Sequence, residues 1–140
     1  MNPLPTLADA DYSGRTVLVR ADLNVPIRNG VVEDDFRLEA ALPTIRVLRA
    51  SGARVVLCSH LGRPRGRDAE FSLRPVGDRL ARLGAFPVVT ASDVAGPGAS
   101  AAVAAQRDEV VLLENTRFEP GETSNDGGLS DRLAGLADRF

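Results

Sequence analysis

The sequence predicts an α/β domain, a parallel sheet with flanking helices built from right-handed, Rossmann-like βαβ units. Three observations point there. Short aliphatic runs alternate with helix-patterned stretches along the chain. The core must be Val, Leu, Ile and Ala, because aromatics are 4% of the residues and Trp is absent; that composition suits strands covered on both faces. Successive aliphatic runs open into polar loops, as parallel strands do where they bind ligands.

The elements follow in order. Thr16-Val17-Leu18-Val19-Arg20 reads as a buried strand after the Ser13-Gly14 turn, and it runs into the polar loop 21–26. Asn29-Gly30 between apolar residues signals a hairpin. Asp34 and Asp35 offer N-caps for a helix through about Ala50, with Leu38, Ala41, Leu42, Ile45 and Leu48 as its apolar stripe and Gly52 as its stop. Pro43 lies inside that pattern and is expected to bend the helix or confine its regular part to one side. Arg54 to Cys58 is the second strand, Leu73 to Leu83 a helix ending at Gly84, and Phe86 to Thr90 a short third strand. An Ala-rich helix over 99–106, a fourth strand over 109–113 and a last helix from about Leu129 to Asp138 complete the pattern. Arg139-Phe140 reads as the approach to a further strand, so an unpaired sheet edge and an incomplete domain are expected.

Composition narrows the function. A chain of 140 residues with 44% hydrophobic content is read as one domain with one core. All 17 basic residues are Arg, which removes the P-loop lysine, Schiff-base lysines and any lysine phosphoryl clamp. The N-terminal residues 1–5 show no leader features, and no apolar run approaches the length of a membrane span. With a single Cys, the chain is read as a cytoplasmic, soluble protein without membrane contact. The absence of a G-x-G-x-x-G after the first strand argues against a dinucleotide domain.

Charge is local. Ser59 to Arg67 holds the only His and three Arg, in a chain of net charge -2. Asp22 and Asn24 follow the first strand, His60 and Arg63 the second, Arg117 the fourth, and Arg37 opens the first helix. Parallel strands bring these ends to one sheet edge, where helix N-termini are expected to add free N–H groups for an anion. Arginine's planar fork grips phosphate and carboxylate. The expected ligand is small, multiply anionic and hydroxylated. Structural readings stand beside this one: Asp22 and Asn24 as turn residues, Arg37 in an ion pair with Asp34, Asp35 or Glu39, and Glu114 bonded to loop backbone. Arg65 and Arg67 read as solvated loop charges, and Cys58 as a small core residue. Nucleic-acid binding through the Arg-rich loop is the weaker alternative, given the acidic chain.

Four segments carry a family resemblance: Val-Arg-Ala-Asp-Leu-Asn-Val-Pro (19–26), Asp-Asp-Phe-Arg-Leu (34–38) with Ala-Leu-Pro-Thr-Ile (41–45), Ser-His-Leu-Gly-Arg-Pro (59–64), and Leu-Glu-Asn-Thr-Arg-Phe (113–118). Together they resemble the N-terminal domain of the phosphoglycerate kinases. The resemblance implies a glycolytic phosphotransferase acting between ATP and 3-phosphoglycerate, giving ADP and 1,3-bisphosphoglycerate. It implies that Asp22 and Asn24 contact the glycerate part of the substrate and that Arg37 binds the carboxylate and stabilises the phosphoryl group in flight. His60, Arg63 and Arg117 are implied to hold the substrate phosphate. Mg-ATP or Mg-ADP belongs to a second domain, so no cofactor or metal residue is expected here and the full-length enzyme is expected to be a monomer. Residues 1–140 are thus expected to be an incomplete 3-phosphoglycerate-binding domain, inactive alone, with a non-catalytic anion-binding module as the alternative.

Overall fold

The computed structural model describes residues 3–140; Met1 and Asn2, part of the segment read for a leader, lie outside the described residues. Strand β1 (Thr16–Arg20) is followed by the antiparallel hairpin β2 (Ile27–Arg28) and β3 (Val31–Val32). Asn29 and Gly30 at its turn have φ of 50° and 75°, the left-handed pair that a two-residue hairpin turn requires. Then come α1 (Phe36–Ala50), β4 (Arg54–Cys58), α2 (Arg74–Gly84) and β5 (Val88–Thr90). Helix α3 (Pro97–Ala105), β6 (Val110–Leu112) and α4 (Gly127–Ala134) complete the chain. β1, β4, β6 and β5 form one parallel sheet in the order β1-β4-β6-β5.

Alternation along each strand splits the core in two. Val17, Val55, Leu57, Val110 and Leu112 face α1 and α2, packing on Leu38, Leu42, Ile45, Leu48, Val76 and Leu80. Leu18, Val56, Cys58 and Val111 face the other way, against Ala99 of α3 and partly buried Leu133 and Leu136. Helices therefore cover both sheet faces, as the continuous aliphatic strands require. Among the described residues no helix is long and apolar enough to cross a membrane.

Several expectations need correction. Helix α1 continues through Pro43, so its regular part is not confined to one side. Pro43 and Glu39, whose carbonyl loses its intrahelical donor, are both exposed, so the lost bond falls on the solvent side of the helix. Asp35 holds the N-cap position of α1 without a cap bond from its side chain, while Asp34 Oδ1 accepts the Phe36 N–H at 2.9 Å. Asp35 instead takes a bidentate grip from Arg79 of α2, at 2.9 and 2.5 Å. The last helix stops at Ala134, short of Asp138. Asp138 accepts the Thr16 N–H at 2.8 Å, and Arg139 pairs in parallel with Val17, its carbonyl accepting the Leu18 N–H at 2.9 Å. The helix thus does return to the sheet, beside β1, at the edge expected to be unpaired.

Candidate functional site

Strand register brings the loops together. Arg20 lies opposite Cys58, and Leu57 opposite Leu112, so β1, β4 and β6 end at one edge. Side chains then lock the loops to each other. Ser59 Oγ accepts the Leu23 N–H at 3.0 Å, and Asn24 Oδ1 accepts the Gly62 N–H at 3.0 Å. Asn115, fully buried, ties the loop after β6 to Leu61 and Phe71.

Asp22, Asn24 and Arg37 form one cluster. Arg37 NH1 lies 3.3 Å from Asp22 Oδ1 and also donates to the Asn24 carbonyl. The pair is exposed, 46% and 64% for the two side chains, so it orients more than it stabilises. Arg37 accordingly finds its partner across the sheet edge and not in Asp34, Asp35 or Glu39. Its remaining guanidinium donors make no hydrogen bond among the described residues.

Arg117 and Gly62 form a second cluster. Arg117 NH1 donates to the Gly62 carbonyl at 2.6 Å. Gly62 has φ +60°, and a Cβ there would stand 2.5 Å from the Phe71 ring, so the residue that presents both its N–H and its carbonyl to the site must be glycine. Arg63 is exposed, without a hydrogen bond or ion pair among the described residues. With Arg117, Gly66 and Thr123 it lines an open depression of about 440 Å³. Arg65 and Arg67 are exposed on the same loop.

His60 is half-buried between these clusters. Burial, and then the Arg117 charge, push its pKa below the ordinary imidazole value, while Glu122 and Asp22 pull it back up. The free protein therefore keeps this imidazole readily neutral, and an anion bound beside it favours the cation. Cys58 sits under the site in the core, its thiol pushed up to about 11 by burial.

The helix N-termini do not contribute as expected. Each already holds a carboxylate of the chain. Glu114 accepts from Leu73 N at 2.8 Å and Ser72 Oγ at 2.7 Å at the start of α2, which bears out its reading as a loop-bonding residue. Asp93 accepts from Gly96, Gly98 and Ala99 N–H groups before α3, and Asp126 from Leu129 N–H in α4. The positive side chains at this edge are arginines, with His60 among them.

Three residues escaped sequence reasoning. Arg20 ends β1 and lies close enough for its charge to act on His60 and, against the larger effect of burial, on Cys58; its strand-end position was the available signal. Ser59 and Asn115 act through hydrogen bonds to distant backbone, which no local pattern announces. A further arginine-rich cleft, about 360 Å³, lies at the opposite end of β4 and β6 beside Arg46, Arg49, Arg54 and Arg107. Its Arg49 is already engaged, 3.2 Å from Asp108 Oδ1 and stacked 4.7 Å over Phe86. The strand-end polar residues do not reach it.

Comparison with known proteins points to one family. The family model for phosphoglycerate kinase matches residues 7–140. The phosphoglycerate kinase of Salinispora arenicola is 51% identical, the match covering 98% of this chain and 36% of that protein. That of Synechococcus elongatus is 51% identical over 98% of this chain and 35% of its own length. Among solved structures, phosphoglycerate kinase from Coxiella burnetii superimposes with a TM-score of 0.79 at 34% identity, covering 97% of this chain and 34% of that one. The Pyrococcus horikoshii OT3 enzyme gives 0.78 at 32% identity, covering 94% of this chain and 34% of its own. The chain thus spans about a third of the length of the relatives it matches.

Proposed function

The chain belongs to the phosphoglycerate kinase family, and from that footing we propose that residues 1–140 form the acceptor side of the phosphoryl transfer, binding 3-phosphoglycerate and 1,3-bisphosphoglycerate. The observation that carries this reading is the convergence of Arg37, His60, Arg63 and Arg117 on one edge, two of these arginines anchored by backbone carbonyls with donors to spare. On this reading Asp22 and Asn24, held by Arg37 and Gly62, contact the glycerate part of the substrate.

Each group has a physical task. Arg63 and Arg117 take the stable phosphate, because forked guanidinium donors match its oxygens. His60 becomes a cation as the dianion enters and adds a third charge. Arg37 takes the reacting carboxylate and neutralises charge that spreads over the phosphoryl oxygens in flight, which is the main catalytic demand of such a transfer. Because Asp22 and the Asn24 carbonyl fix Arg37 beforehand, little ordering is left for the moment of reaction.

We assign Mg-ATP or Mg-ADP to sequence outside these 140 residues. The chain has no lysine for a phosphoryl clamp, and its helix N-termini hold internal carboxylates where nucleotide phosphates would need free N–H groups. On this reading the segment binds its substrate but does not turn over ATP alone, and the whole protein works in the cytoplasm as a monomer in glycolysis.

The test is a titration of the 140-residue chain with 3-phosphoglycerate, followed by NMR at the His60 ring and at arginine side-chain N–H groups. Saturable shifts at Arg37, His60, Arg63 and Arg117 are expected. A flat titration of the folded chain rejects the reading. In coupled assays, ATP turnover is expected only when the remaining two-thirds of a relative's chain is supplied.

A further inference from the structure

The site contains a carboxylate that none of these roles uses. Glu122 follows the Pro120-Gly121 turn, its N–H donating to the Glu119 carbonyl at 3.2 Å. Its side chain is 21% exposed and faces Arg117 Nε at 3.5 Å and Thr116 Oγ1 at 3.4 Å. Both contacts lie at the outer limit of hydrogen bonding. Arg117 Nε is buried and has no hydrogen-bond partner among the described residues, although the same guanidinium donates firmly to Gly62 at 2.6 Å. The arginine is therefore anchored at NH1, while Nε meets a negative charge that neutralises it without gripping it. The groups that face His60 here are Arg117, Glu122, Asp22 and Arg20.

We propose that Glu122 is a resident counter-ion of the anion site, holding the Arg117 charge while the site is empty and yielding that charge to the oxygens of an incoming phosphate. The proposal rests on the reading of Arg117 as an anion-binding residue and adds a specificity device to it. A lone Arg117, partly buried beside Arg63 and His60, would bind any small anion. With Glu122 present, an entrant must outcompete a carboxylate that is already there and then tolerate it as a neighbour. A phosphate dianion that also engages Arg63 and His60 does so; chloride or a simple monocarboxylate does not. The same residue keeps the empty site from accumulating uncompensated positive charge around a half-buried guanidinium.

Glu122→Gln keeps the shape of the side chain and removes its charge; Glu122→Ala removes both. Each is compared with the unaltered chain by titration with inorganic phosphate, with acetate and with 3-phosphoglycerate, read at the NMR resonances of His60, the only His in the chain. Both variants are expected to bind phosphate about threefold to tenfold tighter. Acetate, weak on the unaltered chain, is expected to gain at least as much, so that discrimination falls. In the ligand-free protein, His60 is expected to titrate at lower pH in both variants, because a neighbour favouring its cation has gone. Equal or weaker phosphate binding in both folded variants, with an unmoved His60 titration, overturns the assignment while leaving the anion site intact. Absence of phosphate and 3-phosphoglycerate binding in all three proteins overturns the anion-site reading and this proposal with it.

Discussion

Asn115 holds Leu61 by both of its backbone polar groups: Nδ2 donates to the Leu61 carbonyl at 2.8 Å, and Oδ1 accepts the Leu61 N–H at 3.1 Å. The loops leaving β4 and β6 are thereby fixed to one another, and a second Nδ2 bond at 2.9 Å adds Phe71 to the unit. Replacing Asn115 by Ala strands buried backbone groups without partners. The expected loss is about 2–4 kcal/mol of stability, measured by urea denaturation. A loss within 0.5 kcal/mol, the range usual for uninvolved surface positions, contradicts this account.

Gly62→Ala tests the second anchor. The new methyl group meets the Phe71 ring at 2.5 Å in a left-handed backbone conformation. Strain and displaced packing are expected to cost about 1–3 kcal/mol. The same shift moves the carbonyl that holds Arg117, so 3-phosphoglycerate affinity should fall more than in an equally destabilised core variant such as Val56→Ala. Calorimetric titration of the two variants side by side decides the point.

Arg63 and Arg65 are neighbours on one exposed loop, but only Arg63 lines the depression shared with Arg117. Arg63→Gln is expected to weaken 3-phosphoglycerate binding about tenfold, near 1.4 kcal/mol. Arg65→Gln should change it less than about twofold. Equal effects would mean that the loop acts only through its general charge, and a steep salt dependence of both would accompany that result.

His60 gives the site a pH dependence. Its folded pKa lies below the ordinary imidazole value, so in acid the unfolded chain binds the proton first. Stability should therefore fall as pH drops from about 6.5 through the folded pKa. Affinity for sulfate, whose charge does not change in this range, should move the opposite way and rise over the same window, because protonation adds a positive charge to the site. His60→Gln should flatten both profiles, as read by thermal unfolding and by sulfate titration at several pH values.

Cys58 provides an independent check on the core. A thiol raised to about 11 leaves almost no thiolate at pH 8, so iodoacetamide should not label the folded chain. Because the folded pKa exceeds the unfolded one, stability should also decline as pH rises through 9 toward 11. Rapid labelling under native conditions would show that the face of the sheet carrying Leu18, Val56 and Val111 opens.

The order of strands and helices was legible because period and punctuation are local: Val55-Val56-Leu57 demands a strand with both faces covered, and Asn29-Gly30 demands its turn. The family followed from four motifs that survive in the chain as contiguous words. Local reading erred where partners lie elsewhere. Asp35 looks like a cap beside Asp34, but Arg79, 44 positions along, takes it. Pro43 looks set to confine the regular part of its helix to one side, yet at its exposed position α1 continues through it.

What the sequence determined by itself was the fold class, the aliphatic core and the set of arginines at the strand ends. Tertiary structure alone decided which charges are committed and which are free. Glu114, Asp93 and Asp126 fill the helix N-termini, Gly62 ties down Arg117, and Arg63 keeps its donors. The reason is physical: hydrogen bonds and ion pairs act over about 3 Å in space, and the chain is free to bring together residues 36 to 122 positions apart to make them.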